Sequence, residues 1–507
     1  MRKLLLATAA ILGATAGLTG LASAQTETLQ GTVATPANGG SYTYGDNNYM
    51  GGTMTKGPVA NPTPGTMVIR LGVRMDVGVT GTWSNLDRYS STGSTAPGTA
   101  GFNAANYAAG NTVAGSRKLS PIQLLEYMRI YPGVDAMAAN GLRYGAAIEL
   151  RQNYAAAAQA EPLTNGGTGN TSNQTVYVRR AFAYIAADQF GIVRLGEMDG
   201  LIGTYDEGGA TTGVFLSPSG TIVGGELEVS APSNATMLPY FAAQSGNEYG
   251  NTKIVYLSPS FHGFDFGIQY APNPFNGYQA EPIDGSCASA AGSGCPNVAS
   301  STAPGSGSVT QNQYAVGLRY QGNVGPAAVL AYGVYMGSGH TNYTGGAAAA
   351  VAGVAGGVGA GGTYNGQFDD LSLGMFGANV TYAGMSLFGN VMYGAFNGIL
   401  AARPQGAPDA IGWGAGVKYA FGPYTIGAVY SQFDSQGAYQ LVGVSQRHES
   451  VVDAAATYTP APGLTLYLEY LYSQRHQGDF NFATNVVGSA YNDVRTQGVM
   501  FGTMVKW

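Results

Sequence analysis

Charged residues are scarce in this chain, and their arrangement points to the chemistry of a field rather than of a bond. Asp, Glu, Lys and Arg make up only 10% of the sequence. Arg70, Arg74, Arg129, Arg143, Arg151 and Arg194 recur in the first half, each embedded in alternating apolar residues, and carboxylates follow at Glu197, Asp199, Asp206 and Glu207. Basic and acidic rows facing one another across a narrow water-filled space would impose a transverse field, less screened there than on an open surface. The alternative for Asp206 and Glu207 is that they are solvated loop carboxylates.

Bond-making chemistry has thinner support. No G-x-S-x-G is present, and His262, His340, His448 and His476 are far apart in sequence and fall in predicted turns or loops, where they read as surface imidazoles. A Ser/His/Asp cluster assembled in space by outer loops stays open. Gly357, Gly359 and Gly362 satisfy G-x-G-x-x-G, but no β-α-β pattern surrounds them and the segment is low complexity. Cys287 and Cys295 stand eight apart in a Ser/Gly/Ala-rich stretch without a histidine or carboxylate cluster, so a local disulfide is expected, with free thiols as the alternative and a metal site disfavoured. Nothing calls for a cofactor or a metal, and no basic tract suggests nucleic acid.

The elements that must carry the arginines are strands. From Met67 the odd positions are Met67, Ile69, Leu71, Val73, Met75, Val77 and Val79, while Arg70, Arg74 and Asp76 occupy even ones. Period two gives a strand with one oily face. The alternation returns at Leu142 to Leu150, Phe264 to Tyr270, Tyr314 to Tyr320, Trp413 to Tyr419 and Leu464 to Tyr472, with charge kept to the other face. A misplaced Arg or Lys on a lipid-facing row costs roughly 2–4 kcal/mol near the midplane, so segregation this consistent argues for a bilayer. Arg179 and Arg180 are consecutive, so one must break parity; a position near a membrane interface is expected for them. Arg495 shares the outward parity of the last strand and is expected beyond the apolar band.

Sixteen strands are predicted, over 66–79, 121–131, 141–154, 176–187, 191–198, 252–258, 263–271, 313–321, 326–337, 370–382, 385–396, 411–421, 423–433, 449–459, 463–474 and 493–507. Their connections alternate long and short, Pro132 to Asn140 being the first short turn and Gly200 to Asn251 the third long connection. Tight turns on one side and long loops on the other, with an even strand count, describe an all-β transmembrane antiparallel barrel. The last strand ends Val499, Phe501, Thr503, Val505 and Trp507, which matches the barrel-insertion signal of outer-membrane proteins. Tyr419, Tyr430, Tyr458, Tyr472 and Trp507 suit interface girdles, while Tyr127, Tyr131 and Tyr467 are candidates for lumen aromatics.

The first 24 residues, with Arg2 and Lys3 ahead of an apolar stretch and Ala22-Ser23-Ala24 at its end, are expected to be a signal peptide. Residues 25–64 read as a flexible extension and 65–507 as the barrel. Without Arg2 and Lys3 the chain holds 20 basic residues against 28 acids, a net charge of -8.

The stretches YPGVDAMAANGLRYGAAIELR from Tyr131, FGIVRLGE from Phe190 and VYLSPSFHGFDFGIQYAP from Val255 resemble the Gram-negative general porins, most closely in an alphaproteobacterial flavour. The resemblance implies a sixteen-stranded barrel in the outer membrane, a homotrimer, and a long third loop folded into the lumen as a constriction. On that reading Asp199, Asp206 and Glu207 form its acidic edge and Arg70, Arg74, Arg129, Arg143, Arg151 and Arg194 its basic wall. Small hydrophilic solutes and ions would diffuse through. Outer-membrane lipid, lipopolysaccharide and the barrel-assembly machinery would be its partners. The chain departs from the family at Glu197, where a basic residue is frequent, and at Trp507, where Phe is usual. A solute-specific channel and an occluded structural or adhesive barrel are the other readings.

Overall fold

The computed structural model describes residues 62–86, 88–89, 117–118, 121–153, 175–205, 251–272, 312–339, 368–398, 402–482 and 486–506. Asp206, Glu207, Cys287, Cys295, His340, Trp507 and the expected signal peptide lie outside them.

Sixteen antiparallel strands close a single barrel. They are β1 (Thr66–Ser84), β2 (Ile122–Met137), β3 (Arg143–Asn153), β4 (Thr175–Ala187), β5 (Gly191–Met198), β6 (Asn251–Leu257), β7 (Phe264–Ala271), β8 (Gln313–Val324), β9 (Ala327–Gly337), β10 (Ser372–Tyr382), β11 (Met385–Ala395), β12 (Ala410–Phe421), β13 (Tyr424–Ser435), β14 (Arg447–Ala461), β15 (Leu464–Gln477) and β16 (Asp493–Lys506). Each strand pairs with its sequence neighbours, and β1 closes on β16 with Met75 opposite Val505 and Val79 opposite Phe501. Closure satisfies every strand edge within the sheet, as a lipid environment requires. Among the described residues no helix is long and apolar enough to cross a membrane.

Alternation sorts the faces. On β1, Leu71, Val77 and Val79 are exposed while Arg70, Arg74, Asp76 and Thr80 are buried. Phe501 and Val505 share the outward row of β16. The short turns are tight. Ala383-Gly384 joins β10 to β11 with φ of +50° and +82°, the doubly positive backbone of a type I′ hairpin, which matches the strand twist. Beside such turns Tyr419, Phe421, Tyr424 and Tyr458 stack in a row with ring centroids 5.3, 5.6 and 4.9 Å apart.

Three expectations are corrected. The first short turn is not Pro132 to Asn140: β2 runs to Met137 and the reversal is at residues 138–142. Pro132 pairs with Leu71 of β1 but lacks the N–H that would serve β3, and the β2–β3 ladder breaks there, resuming only at Gly133 opposite Ala147. His448 and His476 are not in loops: β14 and β15 reach further than predicted and place the two opposite each other. Arg179 and Arg180 are buried rather than at an interface. The register shifts between Glu149 and Leu150, which pair with Arg180 and Val178, so Arg179 is the extra residue of a β-bulge and both guanidiniums point inward. Arg495 is outward and 60% exposed, bridged to Asp493 at 2.7 Å.

Candidate functional site: the inner wall of the barrel

Pairing brings Arg74, Arg129 and Arg151 side by side on β1, β2 and β3. Like charges directly opposite one another on a sheet destabilise it, and the wall offsets this with carboxylates one inward position away. Arg74 Nε donates to Asp76 Oδ2 at 2.8 Å, and Arg151 bridges to Glu149. Four residues along β1, Arg70 Nε meets Asp135 Oδ2 at 2.5 Å, and the Tyr184 hydroxyl donates to the same carboxylate. Arg194 lies over the Phe182 ring at 5.5 Å. Arg143 sits at the short-turn end of β3, 3.1 Å from the exposed Asp188, so among the six expected arginines it is set apart.

The bulge arginines extend this wall. Arg179 Nη1 is 3.0 Å from Glu149 and its Nη2 is 2.7 Å from Asp199, while Arg180 Nε is 3.2 Å from Glu149 and its Nη2 is 2.5 Å from Asp199. Two carboxylates thus hold Arg179 and Arg180 between them, and Glu149 also holds Arg151. Asp199 therefore joins the arginines within the wall. Sequence parity hid the second guanidinium because a single inserted residue reverses the count along the strand.

The same cluster roots the third long connection. Immediately after Asp199 the chain forms the short helix α1 (Leu201–Tyr205), every residue of which is buried. Lys253 Nζ donates to the Met198 carbonyl at 2.6 Å, and Gln269 Oε1 accepts from the Leu201 N–H at 2.6 Å. The helix lies against β7, β8 and β9. A Cβ at Gly267 or Gly317 would fall 2.6 Å from Leu201 or 2.7 Å from Tyr205, so glycine at both positions lets the helix touch the sheet. Arg319, paired with Asp265 at 3.2 Å, lies 4.9 Å over the Tyr205 ring. The beginning of the third long connection is thus turned inward and tied to the wall at four points.

Beyond α1 the inner face changes character. Val334 and Met336 on β9, Leu373 and Met375 on β10, Met392 on β11 and Phe433 on β13 are buried in one cluster with Leu201, Ile202 and Tyr205. On β14 and β15, Asp453, Glu469 and Tyr467 point inward and are buried. Tyr131 is buried on β2.

The basic wall leaves open what kind of barrel this is. A profile of the Gram-negative porin family matches residues 7–478. A comparison with curated protein sequences finds no match. Among solved structures the chain is similar to the anion-selective porin from Comamonas acidovorans, at 15% identity and a TM-score of 0.46, covering 87% of this chain and 100% of that one. It is similar to the outer-membrane channel DcaP of Acinetobacter baumannii at 10% identity and a TM-score of 0.47, covering 88% and 99%. It is also similar to a mutant of the Rh. blastica porin at 13% identity and a TM-score of 0.41, covering 86% and 100%. With its sixteen strands closed, lipid-facing rows outside, charges inside, and a family profile spanning nearly the whole length, the chain belongs to the Gram-negative porins, outer-membrane channels for passive diffusion.

Proposed function

We propose that the inner wall of β1–β5 sets the ion preference of the channel and favours anions. The observation that supports this is its charge balance: Arg70, Arg74, Arg129, Arg151, Arg179, Arg180 and Arg194 are buried there with Asp76, Asp135, Glu149 and Asp199. Seven guanidiniums against four carboxylates leave an excess of three positive charges on this wall. Local charge outweighs the overall -8 of the exported chain, because loop carboxylates more than a Debye length of about 8 Å away are screened. Asp206 and Glu207, which follow α1, are proposed as the acidic edge facing this wall.

The mature chain is proposed to begin at Gln25, to assemble as a homotrimer and to perform no catalysis. Outer-membrane lipids surround the outward rows. The barrel-assembly machinery would read the end of β16, Phe501 and Val505 included. A disulfide between Cys287 and Cys295 belongs to the same proposal.

A second reading, a channel restricted to selected solutes, draws on one observation: Arg319, Asp453 and Glu469 point inward yet have none of their surface exposed. Single-channel conductance in planar bilayers, with reversal potential under a salt gradient, decides between them. Large ohmic openings that close in three equal steps, with an anion-directed reversal potential, are expected. Current blocked by one solute class would establish the restricted reading, absent current would point to an occluded barrel, and a cation-directed potential would overturn the role given to the wall.

A further inference from the structure

Four polar side chains stand in one cross-strand row on the outward face of β13–β16, at the strand ends nearest the long connections. Asp434 of β13 pairs with His448 of β14, His448 with His476 of β15, and His476 with Asp493 of β16. Both histidines are exposed and point away from the lumen. Toward the membrane the next outward row is Gln432, Ser450, Gln474 and Arg495, and the one after it holds Tyr430 and Tyr472. The imidazoles therefore lie four residues, about 13 Å along the strands, beyond the tyrosine row.

Hydrogen bonds fix both ends of the row. Asp434 Oδ2 accepts from Gln432 Nε2 at 2.8 Å, and Asp434 Oδ1 accepts from His448 Nδ1 at 2.7 Å. A carboxylate can only accept, so Nδ1 carries the hydrogen and the neutral ring keeps its lone pair on Nε2. At the other end Asp493 accepts from Gln474 Nε2 at 2.9 Å and from Arg495 Nη2 at 2.7 Å, which holds a second carboxylate beside His476.

The ligand class follows from the donors. Residues directly opposite on a sheet have Cβ atoms about 4.5–5.5 Å apart, from which two ring nitrogens can converge on one ion at about 2.0–2.1 Å each. A carboxylate on the far nitrogen of a ligating imidazole fixes its tautomer and raises its basicity, which is the role Asp434 has toward His448. Imidazole suits copper, zinc and nickel, whereas calcium and magnesium take oxygen ligands. Asp434 and Asp493 against Arg495 leave one negative charge around the rings, which favours a cation. The charged neighbours in sequence turn inward: Arg447 and Glu449 are buried, and Arg475 bonds Glu449 at 2.5 Å. Among the described residues no group of three His, Cys, Asp or Glu side chains is placed to hold a metal, so the two imidazoles are the whole protein share and water completes the coordination. We propose that His448 and His476 together bind one divalent transition-metal ion of the copper and zinc class at the external rim, with Asp434 positioning His448. The site is separate from the channel and independent of the ion preference of the lumen.

The test uses the full chain folded in detergent and free of any histidine tag, with copper, zinc and calcium chlorides as probes. Calorimetric titration gives the stoichiometry and affinity, and electron paramagnetic resonance of the copper form counts its nitrogen ligands. One Cu²⁺ per chain with two nitrogen donors is expected, with Zn²⁺ weaker and Ca²⁺ not bound. His448→Gln and His476→Gln should each weaken Cu²⁺ binding at least tenfold and leave one nitrogen donor, while the heat-sensitive gel mobility of the folded barrel and its single-channel conductance stay unchanged. Asp434→Asn should weaken binding about tenfold with both nitrogens retained, and His262→Gln, on a short turn, should change nothing. A two-nitrogen spectrum that survives either histidine substitution would overturn the site. So would two independent ions, each lost with one histidine, or displacement of Cu²⁺ by an equal concentration of Ca²⁺, which would assign the binding to the carboxylates.

Discussion

The two sides of the barrel interior solve the same problem with opposite materials. On β1–β5 the inward row is held by guanidinium–carboxylate pairs, several of them shared three ways through Glu149. On β9–β13 much of it is methionine, leucine and phenylalanine, buried in one cluster with α1. Buried ion pairs gain little net stability over apolar packing, but losing one partner strands the other at high cost. The charged side is therefore the brittle one and the side to which we assign the ion preference, whereas the apolar side supports the root of the third connection and, among the described residues of β9–β13, carries Lys418 as its one buried charge.

The largest effect expected of a single substitution is on the charged side. Glu149→Ala leaves Arg151, Arg179 and Arg180 without their common carboxylate and should destabilise the barrel by about 3–5 kcal/mol, seen as a lower guanidinium midpoint for unfolding from detergent. An effect below that of an apolar truncation would erase the distinction between the two sides. Met375→Ala on the apolar side should cost about 2–4 kcal/mol through the cavity it creates, with reversal potential unchanged; a changed potential would show that the apolar side also shapes the field. Arg129→Gln should shift the reversal potential. One charge at about 10 Å in water acts with roughly 0.4 kcal/mol on an anion and with the opposite sign on a cation, so the anion-to-cation permeability ratio should fall about fourfold. The smallest effect is Arg495→Ala, whose exposed bridge to Asp493 is worth less than about 1 kcal/mol; it provides the baseline against which both sides are read in the same unfolding assay.

Much of this architecture is legible in the alternation of residues. Each of the sixteen strands has its apolar row in the sequence, and Arg70, Arg74, Arg129, Arg151 and Arg194 are inward because their neighbours must face lipid. Failures of reading occur where the backbone departs from period two or where a breaker residue misleads. Pro132 and Gly133 imitate a turn, which hid Asp135 as the partner of Arg70. The bulge at Arg179 is silent in sequence, since parity predicts only one inward arginine of the two. The tether of α1 depends on Lys253, Gln269, Gly267 and Gly317, residues of other strands whose relation to Leu201 and Tyr205 exists only once the barrel has closed. Asp199 reads from sequence as part of the acidic edge opposite the arginines, and its contact with Arg179 and Arg180 within the wall exists only in the fold.

The bulge also governs which changes in chain length this strand can accept. Removing one residue from the middle of a regular strand turns every side chain beyond it to the opposite face, which in this barrel would send arginines into lipid. At Arg179 the arithmetic runs the other way: Val178 already pairs with Leu150 and Arg180 with Glu149, so deleting Arg179 alone joins two halves that are in frame. The bulge thus behaves as a removable single-residue insertion, through which the lineage of this chain could add or withdraw one guanidinium without rewriting any other position of the strand.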